Sequence, residues 1–249
     1  MLPRRDYLAE VVIVLWVSLG AGAVRAGLNL VNRLTSGVPL NQQQTTLVES
    51  ITPDRPWLDV AYQLSFIVLP LGAVALVWYL LHRSGDSFTS IGFDTSEPGR
   101  DLWRGTVLAA VVGGVGLGFY LFAYRAGLSV DIAAVAVSGG WWEWPLLLGQ
   151  ALMNSVLEEV VVLGFVLLRL TQAGLSPRWA VVIAAVVRAA YHLYQGFGGF
   201  IGNLVMGLLF GWLFFRWRRV GPMVVAHFLI DAVAFVGYAL LADRVDWLP

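Results

Sequence analysis

The sequence predicts an all-α fold: a polytopic membrane bundle of about seven transmembrane helices, or eight, around a polar intramembrane cavity. Three observations carry that expectation. Of 249 residues, 58% are hydrophobic and 13% are charged, whereas a soluble domain carries about 25% charged residues. Mean hydropathy is +0.74. Apolar stretches recur along the whole chain, separated by short runs of turn-forming residues. Half the usual charge leaves too little polar surface to cover a water-soluble particle of 27.2 kDa. A soluble enzyme, a nucleic-acid-binding module and a disordered regulator are therefore disfavoured, and a single integral-membrane domain over 1–249 is the simplest organisation.

A helix needs about 20 mainly apolar residues to cross hydrocarbon. Seven stretches are read as spans: 8–31, 57–81, 105–127, 143–170, 178–195, 199–217 and 221–242. Asp6 and Glu10 spoil the basic start that a secretory signal would need, so the first stretch is read as a retained helix. The connection 32–56 is polar (Asn41, Gln42, Gln43, Gln44, Thr45, Thr46) and is expected at the surface. Breakers follow or precede the other spans, at Ser84-Gly85-Asp86, Pro98-Gly99 and Ser176-Pro177. The spacings Gly114–Gly118, Gly198–Gly202 and Gly207–Gly211 suggest close helix packing. Tryptophans at 57, 103, 141, 142, 144, 217 and 247 suggest interfacial belts, and His82 beside Arg83 reads as interfacial too.

Charge sets the orientation. With a cytoplasmic N-terminus, inside segments hold Arg4, Arg5, Arg83, Arg100, Arg104, Arg169, Arg178, Arg216, Arg218 and Arg219, ten against the four outside (Arg33, Arg55, Arg125, Arg244). This predicts a multi-pass protein of the cell membrane with its N-terminus in the cytoplasm. Sixteen basic residues, all arginine, cancel sixteen acidic ones, so no net field recruits nucleic acid. The lipid bilayer is the partner that composition implies, and the sequence sets no oligomeric state. The absence of Cys excludes disulfides, thiolate catalysis and Cys-bound metal.

A few polar residues fall where lipid should exclude them: Arg25, Glu158, Glu159, Arg188, His192, His227 and Asp231. An ionised residue at mid-membrane costs about 2.5–3.5 kcal/mol even on a lenient scale, so such residues usually face a cavity and pair with one another. Gln150, Asn154 and Glu158 recur every four residues and form one stripe on the fourth helix. Arg188 and His192 share a face of the fifth, with Gln195 close by, and His227 and Asp231 share a face of the seventh. Three helices each present a polar pair, and lipid would force those pairs together. Arg25 is given no role.

Two carboxylates and two imidazoles could hydrolyse an amide without metal. A glutamate in a low-dielectric cavity can act as general base on water, one imidazole can help hold that water, and the other can donate to a developing oxyanion. The same groups could bind zinc or iron, but no HExxH or Glu-x-x-His spacing supports that, and no cofactor is expected. No Ser stands beside a His at helical spacing, so covalent catalysis has little support.

These residues resemble a known family. NSVLEEVVVLGFVLLRL (154–170), RAAYHLYQGFGGFIGNLVMGLLFGWLFFRWRRVGPMVVAHFLIDAVAFVGY (188–238) and, more weakly, IGFDTSEPGRDLWRG (91–105) are similar to the CAAX protease and bacteriocin-processing (CPBP, Abi) intramembrane endopeptidases, which include the Ras-converting CAAX endopeptidase. The resemblance covers roughly the C-terminal 100 residues, so 143–242 would be the catalytic helices. It implies a helical bundle with a cavity open to the cytosol and a glutamate-activated water. Glu158 would then activate the water with help from His192, Glu159 would support the arrangement, and His227 with Asp231 would form the oxyanion side. Asn154, Arg188 and Gln195 would support the site or bind substrate.

The chain departs from the family pattern in three places. Leu163 stands where Arg is usual, Arg188 where Phe is usual, and Asp231 where Asn is frequent. The first two departures compensate if Arg188 pairs with Glu159 across two helices, leaving Glu158 free as the base. An ionised Asp231 only accepts hydrogen bonds, so it either carries a proton or orients His227. The expected activity is metal-independent hydrolysis of a peptide or membrane-protein substrate near the cytoplasmic interface. The alternatives are a catalytically silent scaffold or immunity protein of the same fold and a small proton-coupled transporter.

Overall fold

The computed structural model describes residues 2–136, 140–241 and 244–245. Among the described residues, six helices are long and apolar enough to cross a membrane: α1 (Arg4–Thr35), α2 (Pro56–Arg83), α3 (Pro98–Arg125), α4 (Glu143–Gln172), α6 (Phe197–Trp217) and α7 (Gly221–Leu241). The polytopic helical bundle is as the composition requires. The fifth expected span differs, because α5 covers only Pro177–Tyr191, 15 residues. The chain must turn there to reach α6, and Gly196, at φ 91°, supplies a backbone conformation closed to most side chains. The end of the 221–242 stretch and Trp247 lie outside the described residues.

The polar connections are also more ordered than a surface loop. β1 (Gln44–Glu49) pairs in parallel with β2 (Asp131–Ala136), with Gln44 opposite Asp131 and Val48 opposite Val135. This pair caps the ends of α1 and α3. Val130 N–H donates to the Gln195 carbonyl (3.2 Å) and Gly198 N–H to Leu128 (2.9 Å), which ties the α5–α6 turn to the strand-bearing end.

Helix α4 is the axis of the bundle: 78% of its apolar window is buried, against 11–33% for the other five long helices. From Glu159 to Val166 it widens into a π-helix, in which i→i+5 bonding re-aims side chains and which recurs at functional sites. Helix α5 lies against α6 with almost no gap. A Cβ on Gly207 would meet the Ala185 backbone at 2.9 Å, and one on Gly211 would meet Val181 at 2.8 Å. The expected close packing therefore holds at Gly207–Gly211. It does not hold at Gly114–Gly118, where nothing lies within 4 Å of either Cβ position.

Two buried arginines pin the opposite end. Arg169 is fully buried and reaches Glu10 (2.8 Å), Asp86 (2.9 Å) and the Leu80 carbonyl (3.0 Å), joining α1, α2 and α4. Arg219, between α6 and α7, donates to Asp101 Oδ2 (2.7 Å) and Asp94 Oδ1 (3.1 Å), clasping the α2–α3 connection. Ser96 donates to the Asp94 carboxylate and, with Arg219, holds its pKa below the ordinary carboxylate value. A depressed folded pKa stabilises above the unfolded value, and that stability is lost as pH falls through the folded one. Asp101→Asn is expected to cost about 2 kcal/mol, the worth of a charge-assisted hydrogen bond. Thermal unfolding in detergent should show a Tm lower by about 4–8 °C.

Candidate active site

The cluster assembles on α4, α5 and α7, with α5 and α7 each packed against the π segment of α4. Glu159 opens that segment with no exposed side-chain surface. Arg188 Nη1 donates to its Oε1 at 2.7 Å, and His227 Nδ1 lies 2.7 Å from the same oxygen. A carboxylate only accepts, so His227 carries its proton on Nδ1 toward Glu159. Arg188 Nη2, 3.2 Å from that Nδ1, is then a neighbour and not a donor to it. Arg188 is itself fully buried, stacked 5.6 Å above the Phe210 ring, with Gly207 making room beside its stem.

Glu158 is placed differently. Its side chain keeps 13% exposure, and its Oε2 accepts from the Tyr191 hydroxyl at 2.8 Å. The ion pair between Arg188 and Glu159 forms as the sequence suggests, but Glu158 is not left free: Arg188 Nη2 stands 3.4 Å from its Oε2. Arg188 therefore bridges both glutamates, because the planar guanidinium offers donors on two edges.

His192 caps α5. Its Nδ1 lies 2.9 Å from the Arg188 carbonyl, which can only accept, so the proton sits on Nδ1 and Nε2 keeps a lone pair. Its ring lies tilted against Tyr191 (4.7 Å between centroids) and stacks on Tyr194 (6.3 Å). Asp231 Oδ2 lies 3.5 Å from His227 Nε2, one turn along α7, which suits a carboxylate that orients the ring.

Other sequence candidates are placed further out. The Gln195 amide donates to the Tyr194 hydroxyl (3.0 Å) and not to the cluster. Asn154 makes no side-chain hydrogen bond among the described residues and is half-buried, on the stripe that runs from Gln150 to Glu158. Gln150 donates to Gln63 (3.2 Å), which donates to the Glu49 carbonyl (2.8 Å) at the end of β1. Arg25 is exposed and unpaired among the described residues, and His82 stacks on Trp78 (5.8 Å). Sequence reading missed Tyr191 and the anchoring role of Arg169. The tyrosine adjoins His192, but an aromatic in an apolar helix carries no signal of its own. Among the described residues, no three His, Asp or Glu side chains are grouped to hold a metal ion.

Two cavities open elsewhere. One of about 470 Å³ lies among arginines between α3 and α6. The other, about 400 Å³, is an apolar groove between α1 and α2 that reaches Leu157, the neighbour of Glu158.

Residues 140–233 match the family model for Type II CAAX prenyl endopeptidase Rce1-like proteins. The matched region includes all of the clustered residues from Glu158 to Asp231. No curated protein and no solved structure matches the chain.

Proposed function

Because residues 140–233 match the Rce1-like CAAX endopeptidase family model, we propose that the chain is an intramembrane endopeptidase that uses Glu158 as general base and no metal. One observation carries the assignment of the base. Glu159 is sealed, with no exposed side-chain surface and its Oε1 held by both Arg188 and His227, whereas Glu158 keeps 13% exposure and an Oε1 that no protein donor occupies among the described residues.

In this reading Glu158 takes a proton from a water that also donates to His192 Nε2. The resulting hydroxide attacks the scissile carbonyl, and His227, protonated on both nitrogens and held through Nδ1 by Glu159, turns its Nε2–H from Asp231 (3.5 Å) to the oxyanion. Glu158 then returns its proton to the leaving amine. Tyr191 and Arg188 temper the charge on Glu158 between steps. The substrate is a peptide or a segment of a membrane protein.

The test is cleavage of a peptide library by the purified full-length chain, with and without chelator. Cleavage that survives chelation supports the reading, and activity abolished by chelation favours a metal site. The contact of Arg188 with Glu158 (3.4 Å) favours a silent scaffold as the second reading, and complete inactivity on the library would support it.

Polar groups reach Glu158 from the end that carries β1 and β2, through Gln63, Gln150 and Asn154, while residues 160–166 beyond it are buried and apolar. Substrate and water are proposed to approach from that end. The ten-to-four arginine count favours the strand-bearing end as the outer one, so a cytoplasmic N-terminus and a cytoplasmic substrate do not go together in this reading. The chain has no Cys, so Thr46→Cys provides a single label on β1. Labelling by an impermeant maleimide in intact cells is expected. Protection until the membrane is permeabilised would place the N-terminus outside and restore the cytoplasmic substrate.

A further inference from the structure

The cavity of about 470 Å³ is lined by Glu97, Arg100, Arg104 and the run Arg216–Arg219. It lies where α3 begins and α6 ends, at the end of the bundle opposite the strand pair. Its charges are not all available. Arg100 is held by Glu97 (2.7 Å) and Arg219 by Asp101 and Asp94. Arg104, Arg216 and Arg218 have no carboxylate within 4.0 Å among the described residues. Three uncompensated guanidiniums thus share one concavity, in a chain whose formal charges cancel overall.

Backbone geometry adds an independent observation. Arg218 adopts φ 57°, the one non-glycine residue at positive φ among those described. This is the position after a helix end that glycine ordinarily fills, and strained backbone of this kind persists where function holds it. The conformation lays the Arg218 guanidinium 5.6 Å over the Phe215 ring at the rim of the cavity. Arg104 likewise stacks 4.9 Å over Trp217. Beside Arg104, Leu102 and Trp103 are 58% and 69% exposed on the outside of α3.

We propose that this cavity binds the phosphate of an anionic phospholipid, with Arg104, Arg216 and Arg218 as its ligands and Leu102 and Trp103 against the acyl chains. Guanidinium forks match phosphate oxygens in pairs, and basic pockets at helix ends are suited to lipid headgroups. The apolar surface beside the cavity distinguishes a lipid from free phosphate. The site is separate from the Glu158 cluster and does not depend on its activity.

Native mass spectrometry of the full-length protein in detergent tests this, with phosphatidylglycerol, phosphatidylcholine and inorganic phosphate as probes. The wild type should retain phosphatidylglycerol about a hundredfold more strongly than phosphatidylcholine, from three arginines at the usual worth of each near an anionic surface. R104Q/R216Q/R218Q should lose that preference, while Arg178→Gln, an exposed arginine at the same end, should keep it. Arg218→Gly provides a variant that folds without strain: it should raise Tm in lipid-free detergent and weaken phosphatidylglycerol retention about fivefold. Equal retention of the two lipids by the wild type, or an unchanged preference in the triple variant, overturns the proposal. Inorganic phosphate displacing phosphatidylglycerol at equal concentration overturns the assignment to a lipid.

Discussion

Replacing Glu158 with Gln is expected to abolish peptide-bond cleavage while leaving the bundle folded. A positioned general base contributes about 10²–10⁴ in rate, so kcat should fall at least that far and KM should change little. The fold is insulated for two reasons. The Glu158 side chain keeps 13% exposure, and a glutamine oxygen can still accept from the Tyr191 hydroxyl. Arg188 retains Glu159 at 2.7 Å as its main partner, so no buried charge is left alone. Tyr191→Phe should produce a smaller loss, because it removes a hydrogen bond from the base and not the base itself. Kinetics on one cleaved peptide, with Tm as the folding control, decide the matter. An E158Q protein that keeps a tenth or more of the wild-type rate would remove Glu158 from the mechanism.

The division between what the sequence shows and what it hides follows contact range. The i,i+4 pairs on α4, α5 and α7 are local, so helical geometry alone places Gln150, Asn154 and Glu158 on one face and His227 above Asp231. The Arg188–Glu159 pair is legible for a different reason: two charges that lipid cannot solvate must find each other, and few are available. Arg169 is not legible, because its partners Glu10 and Asp86 come from α1 and the α2–α3 connection, and its place at a helix end resembles an interfacial cation. The pairing of 44–49 with 131–136 joins a mostly polar segment to a mostly apolar one, and neither shows a strong alternation. The Glu158–Tyr191 hydrogen bond depends on the π segment and on the short α5, and neither has a composition signature.

Removing either partner of the buried pair should destabilise the protein more than any surface change. Arg188→Met strands the Glu159 carboxylate, which has no exposed surface and keeps only His227. Breaking a buried ion pair from one side costs about 3–5 kcal/mol. Glu159→Gln strands the guanidinium instead, and the carboxylate left within reach is Glu158, already 3.4 Å away. That variant is therefore expected to lose activity by capture of the base as well as by loss of the His227 anchor, a fall in kcat of about 10²–10³, the size seen when an oxyanion donor is lost. The double variant R188M/E159Q leaves neither charge unpaired, and its amide oxygen can still accept from His227 Nδ1. It should recover most of the lost Tm, and recover activity ahead of E159Q alone because nothing then competes for Glu158. If the double variant is instead as unstable as the sum of the singles, the two residues do not act as a pair and Glu159 is not the anchor of the site. If it regains stability but remains less active than E159Q, Arg188 itself acts on the reacting groups and is not merely the counter-ion that lets two carboxylates share a membrane helix.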